Sequence, residues 1–162
     1  MELNREQLLL LNRINNRFLF KLFSIVKLPL AFLTGLKIVK LNGDECITSV
    51  RLKYLNKNPF RSTYFAVLSM AAELSTGAIA LLAAEGHHPS VAKIITSMRA
   101  DFVKKATGRT KFTCAEGEKL FSAVDKAIET KEARLETVSS VGCDENGDVV
   151  ARFEFTWSFK QR

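Results

Sequence analysis

The strongest constraint on the fold is the run from Arg61 to Ala84, which is apolar almost all the way round. Ala, Leu, Met and Ile dominate this run, and its charged residues are Arg61 and Glu73. A helix that is apolar on every side has to be buried on most of them. A curled antiparallel sheet can enclose such a helix, whereas a flat sheet would leave half of it in water. The run therefore predicts a central helix wrapped by a curved sheet.

The rest of the chain supplies the predicted strands. Leu36 to Leu41 and Glu45 to Leu55 favour a β-hairpin, because Asn-Gly-Asp between them is a strong turn signal. Strand-like runs also cover residues 91–104, 109–115, 133–143 and 149–160, and a short helix is expected between Glu116 and Glu132. For the central helix, Ser62 or Thr63 is the expected N-cap, and Gly86 followed by His87, His88 and Pro89 is the expected stop.

The N-terminal segment predicts one amphipathic helix from Asn4 to Val26. Its apolar residues recur three and four apart: Leu8, Leu11, Ile14, Phe18, Leu22 and Ile25. This stripe should pack on a core or on a partner, and contact with a membrane surface is the less favoured alternative. A transmembrane helix is not expected, because Lys21, Lys27 and Pro29 interrupt the apolar stretch. No secretory signal is expected either, so a cytoplasmic location is predicted.

Composition narrows the possible partners. The net charge of +7 favours acidic partners, whether nucleic acid, a membrane surface or a phosphorylated ligand. Nucleic acid is not expected, because the basic residues are spread along the chain without a binding motif. Cys46, Cys114 and Cys143 lack the spacing of a disulfide framework or zinc site, which fits a reducing compartment. His87-His88 is interpreted as a helix end, and no metal is expected.

One stretch carries a family resemblance. The run from Asn58 to Gly77 resembles the loop and central helix of hot-dog thioesterases, in particular a branch related to phenylacetate-pathway and 4-hydroxybenzoyl-CoA-type enzymes that is classed as a domain of unknown function. Members carry a loop Asn, a His-Gly-Gly or small-residue turn at the helix start, and an acidic residue further along. Here Asn58 matches the loop Asn, Tyr64 stands at the His, Phe65 and Ala66 replace the glycines, and Glu73 matches the acid.

The resemblance implies a fold and a domain organisation. The expected class is α+β, a hot-dog fold in which a long central helix is wrapped by a curved antiparallel sheet, with an extra N-terminal amphipathic helix. A single domain is expected over residues 1–162, with a helical extension at 1–35 and the hot-dog core at 36–162. Family members generally pair so that two subunits complete each site, which implies a homodimer or a tetramer.

The implied chemistry is hydrolysis of an acyl thioester. The free N–H groups of Phe65 and Ala66 at the helix start would stabilise the negative charge that develops on the thioester oxygen. Glu73 would act as general base or nucleophile, helped by a pKa raised through desolvation. The predicted substrate contacts are Asn58, Arg61, Ser62, Thr63 and Tyr64, although Asn58 is more readily a loop-forming residue and Tyr64 is equally well a packing residue.

Two further points concern the substrate. Coenzyme A would enter only as part of an acyl-CoA substrate, so no separate cofactor is expected. Basic residues that could meet its phosphates are Lys57, Arg61, Lys104, Lys105, Arg109 and Lys111. The alternative function is a non-catalytic acyl- or lipid-binding module, favoured because bulky Phe65 replaces a glycine where backbone approaches ligand.

Overall fold

Six antiparallel strands form one sheet in the order β1-β2-β4-β5-β6-β3. The computed structural model describes residues 2–162, so Met1 of the predicted domain lies outside them. The strands are β1 (Lys37–Leu41), β2 (Cys46–Arg51), β3 (Val91–Phe102), β4 (Arg109–Cys114), β5 (Arg134–Cys143) and β6 (Val149–Gln161). The helices are α1 (Arg5–Asn15), α2 (Arg17–Lys27), α3 (Pro29–Thr34), α4 (Phe65–Ala83) and α5 (Gly117–Thr130), with a 3-10 turn at Tyr54–Asn56.

Helix α4 lies in the concave face of this sheet and contacts all six strands. Six strands spaced about 4.8 Å apart span about 24 Å when flat, more than a helix about 10 Å wide can touch, so the sheet must curl around α4. Two buried hydrogen bonds tie the layers together. The Thr48 hydroxyl donates to the Ala71 carbonyl at 2.6 Å, and the Ser75 and Ser140 hydroxyls lie 2.7 Å apart. This arrangement is the expected hot-dog fold.

The start of α4 differs from the prediction. Its N-cap is Tyr64, whose side chain makes no capping hydrogen bond. The prediction of Ser62 or Thr63 as N-cap is wrong because both hydroxyls are used elsewhere. Ser62 bonds to the side chain of Asn58, and the Thr63 hydroxyl donates to the Ala106 carbonyl at 3.2 Å. The helix end is as expected, since Gly86 adopts the left-handed conformation with φ 76°.

The N-terminal segment forms two long helices rather than one. Asn16 has extended backbone angles, and its side-chain oxygen accepts from the N–H groups of Phe18 and Leu19. It therefore ends α1 and caps α2. The preceding Asn15 bonds through its side chain to both the N–H and the carbonyl of Leu41 at the end of β1. These local bonds of Asn side chains break a helix that the apolar spacing alone would continue.

The predicted apolar stripe of this segment is only partly covered by the rest of the chain. Ile14 on α1 is buried and joins the core cluster, which also includes Phe20 of α2. Phe18 and Leu22, in contrast, are 74% and 54% exposed. Leu11 and Ile14 thus pack on the core, as predicted, whereas Leu8 on α1 is 50% exposed and the stripe residues of α2 face outward from this chain.

Candidate functional site

The loop before α4 is shaped by Asn58. Its side-chain oxygen accepts hydrogen bonds from the N–H groups of Phe60 and Ser62 at 3.0 and 3.1 Å, and its amide nitrogen donates to the Ser62 hydroxyl. The backbone N–H of Asn58 donates to the Ser62 carbonyl, which closes the loop, and Arg61 adopts a left-handed conformation with φ 61°. Asn58 thus acts as the loop-forming residue that one of the two sequence interpretations described.

Ser62 and Thr63 lie under this loop rather than on its surface. They are 6% and 3% exposed. The backbone N–H and the hydroxyl of Thr63 both donate to the carbonyl of Ala106, at 2.8 and 3.2 Å, which fixes the helix start to the connection between β3 and β4. Ser62 and Thr63 therefore support the loop from behind. Their contact with substrate stays a prediction.

The backbone N–H groups of Phe65 and Ala66 stand at the first turn of α4. The Tyr64 carbonyl accepts from Val67 and Leu68, which leaves the two preceding N–H groups without an acceptor among residues 2–162. Free N–H groups at a helix start are suited to an oxyanion. The structure therefore leaves available the donors that the sequence singled out.

An aromatic wall stands beside these N–H groups. The rings of Tyr64 and Phe65 lie edge-on at 4.9 Å between centroids, and Phe65 also meets Phe102 of β3 at 6.2 Å. Tyr64, Phe65 and Phe102 are each about half exposed. The pattern of hydrophobic residues predicts only that Phe102 lies in a strand. Its position beside the helix start depends on how β3 pairs with β6, which the local pattern does not show.

Glu73 lies in a cleft of about 260 Å³ between α4 and the corner that joins α2 to α3. The lining is mainly apolar and includes Leu28, Leu30, Met70 and Leu74. The carboxylate makes no hydrogen bond or ion pair with any side chain in the part of the chain that the structure describes. Burial raises the pKa of Glu73 above its ordinary value. A carboxylate with its pKa raised in this way is a candidate general base.

The orientation of the Glu73 carboxylate depends on Gly77. A Cβ atom at position 77 would lie 2.8 Å from Oε1 of Glu73 and 3.3 Å from the indole ring of Trp157, so the carboxylate rests over the glycine. Trp157 is itself held by a hydrogen bond from its Nε1 to the Thr76 hydroxyl at 3.1 Å. Sequence reasoning missed Gly77 and Trp157 as neighbours of the acid. The i, i+4 spacing of Glu73 and Gly77 was the available signal for the glycine.

The structure keeps Glu73 apart from the free N–H groups of the same chain. Ala66 and Glu73 are separated by about 10 Å along the helix axis, given a rise of about 1.5 Å per residue. In addition, the carboxylate points toward Gly77, away from the helix start. The acid and the oxyanion donors predicted from the sequence are thus on one helix but do not meet within one chain.

A second pocket, of about 410 Å³, is basic. Its lining includes Lys53, Lys57 and Arg61 together with Asn58. The two pockets flank the end of α3, since Leu36 lines the Glu73 cleft and the ammonium group of Lys53 lies over Gly35. Of the cations expected to meet phosphates, Lys57 and Arg61 line this pocket, whereas Lys104 pairs with Asp144 and Asp148. Lys53 was not among the predicted cations.

Comparison with known proteins places this geometry in a family. The family described as "Domain of unknown function (DUF4442)" matches residues 16–159, which is most of the chain. The chain belongs to the DUF4442 family. This confirms the family predicted from the run that begins at Asn58. Among curated protein sequences, none matches this DUF4442 chain.

Many solved structures share the fold of the DUF4442 chain. A Pseudomonas aeruginosa protein of unknown function, described as a probable thioesterase, is 20% identical with a TM-score of 0.76 over 90% of this chain and 95% of its own. A Chlorobaculum tepidum protein of unknown function is 18% identical with a TM-score of 0.73 over 88% and 92%. A Haemophilus influenzae thioesterase is 9% identical with a TM-score of 0.60 over 86% and 88%. These likenesses confirm the hot-dog fold of the DUF4442 chain.

Other groups in the DUF4442 domain have structural explanations. His87 sits at the end of α4, where its ring lies 3.1 Å from the Ala83 carbonyl, and no cluster of metal-binding side chains occurs within residues 2–162. Burial raises the pKa of the Cys114 thiol to about 11, and that of Cys46 further, so neither is a ready nucleophile. Helix α4 is long and apolar enough to span a bilayer, but more than half of it is buried, as in a core helix.

Proposed function

We propose that the protein hydrolyses an acyl thioester, with Glu73 as the general base. The observation that carries this proposal is a carboxylate without a hydrogen-bond or ion-pair partner, partly buried in a largely apolar cleft on the central helix of a hot-dog fold. An unpaired carboxylate in such surroundings costs stability, so its presence indicates a use. The resemblance of the run from Asn58 to Gly77 to hot-dog thioesterases supports the same chemistry.

The proposed substrate is an acyl-CoA or a related thioester. The Glu73 cleft takes the acyl group, and its volume of about 260 Å³ suits a short chain or a ring. The basic pocket at Lys53, Lys57 and Arg61 takes the phosphates of the coenzyme A moiety. Since the two pockets flank the end of α3, one extended ligand is able to reach both.

The proposed enzyme is a homodimer whose sites form between subunits. Strand β3 is an edge strand of 12 residues, and Ile94 and Met98 on it are 66% and 52% exposed. A long edge strand with exposed apolar side chains is able to pair with another strand. The helix start lies next to it through the contact of Phe65 with Phe102. In the proposed dimer, Glu73 of one copy works with the free N–H groups of the other, since the two do not meet within one chain.

In the proposed reaction, water attacks the thioester carbonyl while Glu73 accepts its proton. The developing oxyanion is held by the N–H groups of Phe65 and Ala66. Collapse of the tetrahedral intermediate breaks the carbon–sulfur bond, and the proton returned by Glu73 reaches the leaving thiolate. The cytoplasmic location predicted from the sequence would suit an intracellular thioester, and it remains part of the proposal.

Thiol release from a panel of short, medium, long and aromatic acyl-CoA esters tests the proposal. Glu73→Gln is expected to lower the rate by about 100-fold or more, because loss of a general base typically costs that much. The matched control is Glu118→Gln on the exposed face of α5, which should leave the rate unchanged. Equal rates for wild type and Glu73→Gln would contradict the proposal.

The alternative function is an acyl-binding module without turnover. It is favoured by the direction of the Glu73 carboxylate, which points toward Gly77 and away from the helix start. It is also favoured by Phe65, whose side chain occupies a position that resembles a glycine site. Retention of acyl-CoA by wild type, with no thiol released from any ester, would select this alternative.

A further inference from the structure

The outer surface of α2 and α3 is apolar and open to solvent. Large apolar side chains on it are between 46% and 74% exposed: Phe18, Leu22, Ile25, Val26, Leu30 and Leu33. Single exposed apolar side chains are common on proteins, but a contiguous group of this size marks an interaction surface. We call these six residues the α2–α3 surface.

Helix α2 is turned with its apolar side outward. Its buried residues, Phe20 and Ser24, lie one turn apart and define the inner side. At about 100° per residue, Leu22 and Val26 fall on the opposite side of the helix. A helix of a globular protein ordinarily turns its apolar face to the core. The outward orientation is therefore not explained by packing within this chain.

The segment that carries this apolar side is rich in positive charge, although Lys40 pairs with Glu45 and Lys27 lines the same cleft as Glu73. From Gln7 to Gly43 the sequence contains no Asp or Glu, and its cations are Arg13, Arg17, Lys21, Lys27, Lys37 and Lys40. On α2, Lys21 lies at one flank of the apolar face, and the exposed Arg17 and Lys27 lie closer to the inner side. Such an arrangement lets apolar side chains enter the boundary of a bilayer while the cations meet lipid phosphates.

A second copy of the chain fits this surface less well. Contact between two α2–α3 surfaces would place cations opposite the same cations, and like charges at an interface are unfavourable. The edge strand β3 also offers a separate place where two copies of the chain could pair. Charge complementarity therefore favours a negatively charged lipid surface as the occupant.

We infer that the α2–α3 surface docks on an anionic lipid bilayer. The cleft that holds Glu73 opens at this same corner, since Lys27, Pro29 and Leu30 line it. Docking sets the mouth of the cleft at the level where lipid acyl chains begin, so an apolar acyl group enters without crossing water. This consequence for substrate entry rests on the proposed thioesterase function, whereas the docking itself does not.

Flotation with vesicles tests the inference without any substrate. The full-length protein is expected to bind vesicles of equimolar phosphatidylcholine and phosphatidylglycerol, and to bind phosphatidylcholine vesicles weakly. Val26→Glu should lower partitioning to the anionic vesicles by about tenfold or more, because it places a negative charge at the boundary. Lys21→Gln should lower it by about fivefold. Added salt should weaken binding of the wild type.

The matched control is Leu135→Glu. Leu135 on β5 is 63% exposed, close to the 70% of Val26, but lies on the sheet rather than on the α2–α3 surface. This variant should bind vesicles like wild type. Failure of wild type to bind anionic vesicles, or equal binding by Val26→Glu, overturns the inference. A Val26→Glu variant that has half the molar mass of wild type in light scattering, but binds vesicles equally well, also overturns it. That result would mean that a second copy of the chain covers the α2–α3 surface. Thiol release is scored separately, so either proposal can fail alone.

Discussion

Helices α2 and α4 are both rich in large apolar residues, yet α4 is mostly buried and α2 is mostly exposed to solvent. Helix α4 is enclosed by the sheet, and Ile79 and Leu82 on it are fully buried. Helix α2 buries only Phe20 and Ser24 and turns Phe18 and Val26 to solvent. The difference is not one of hydrophobicity but of what surrounds each helix. Strands, together with α1 and α5, cover most of α4, whereas α2 lies outside the sheet with neighbours on one side only.

The apolar surfaces of the two helices can be removed from water in different ways. For α4, burial within the chain removes apolar surface from water and stabilises the fold. For α2, the same gain is available only from something outside the chain. A second difference points the same way, because α4 carries one charge, the partly buried Glu73, whereas all the charges on α2 are positive.

The largest expected effect compares the same substitution in the two helices. Leu82→Ala should lower the free energy of unfolding by about 3 kcal/mol, because it leaves a cavity in a fully buried site. Leu22→Ala should change it by less than about 0.5 kcal/mol, because Leu22 is already 54% exposed. Urea unfolding of the two variants measures both values. A loss of similar size for Leu22→Ala that depends on protein concentration would mean that a second copy covers α2.

A smaller effect is expected at the break that separates α2 from α1. Asn16→Ala removes the side-chain oxygen that accepts from Phe18 and Leu19, and loss of such a cap costs about 1 kcal/mol. Because α2 has few contacts with the core, the loss should appear mainly as faster hydrogen exchange in residues 17–27. Unchanged hydrogen exchange in residues 17–27 would show that the cap does not hold α2 in place.

The smallest expected effect concerns the one charge in α4. Because burial raises the pKa of Glu73 in the folded protein, the folded state holds this proton more strongly than the unfolded state does. Wild type therefore loses stability as pH rises from the ordinary glutamate pKa through the raised one. Glu73→Gln should unfold at a slightly higher temperature than wild type at neutral pH, and the two should converge in acid. Thermal unfolding across this pH range checks the sign, and a less stable variant at neutral pH would contradict it.

Much of the fold could be predicted from the sequence because its signals are local. The apolar run from Arg61 to Ala84 predicted the central helix, and the alternation in the last strand predicted β6. The predicted N-cap of α4 failed, since the sequence does not reveal that Ala106 binds Thr63. The single N-terminal helix failed because side-chain bonds of Asn15 and Asn16 compete with helix continuation.

The candidate site could be predicted only in part. The sequence identified Glu73 by the rarity of a charge in an apolar helix, and the helix-start N–H groups by resemblance. It did not predict that the Glu73 carboxylate turns toward Gly77 and Trp157, or that α3 forms the other wall of its cleft. Those neighbours come from distant parts of the chain, so no local spacing records them.

The sequence by itself determined that a long apolar helix would be enclosed and that one carboxylate would lie on it. Both follow from the apolar content of the run and from the cost of burying charge, which act along a single segment. Only the tertiary structure decided that α4 would be covered while α2 stayed open, and that the cleft would open at the corner between α2 and α3. Coverage depends on which elements meet in space, and that is set by the packing of the whole chain.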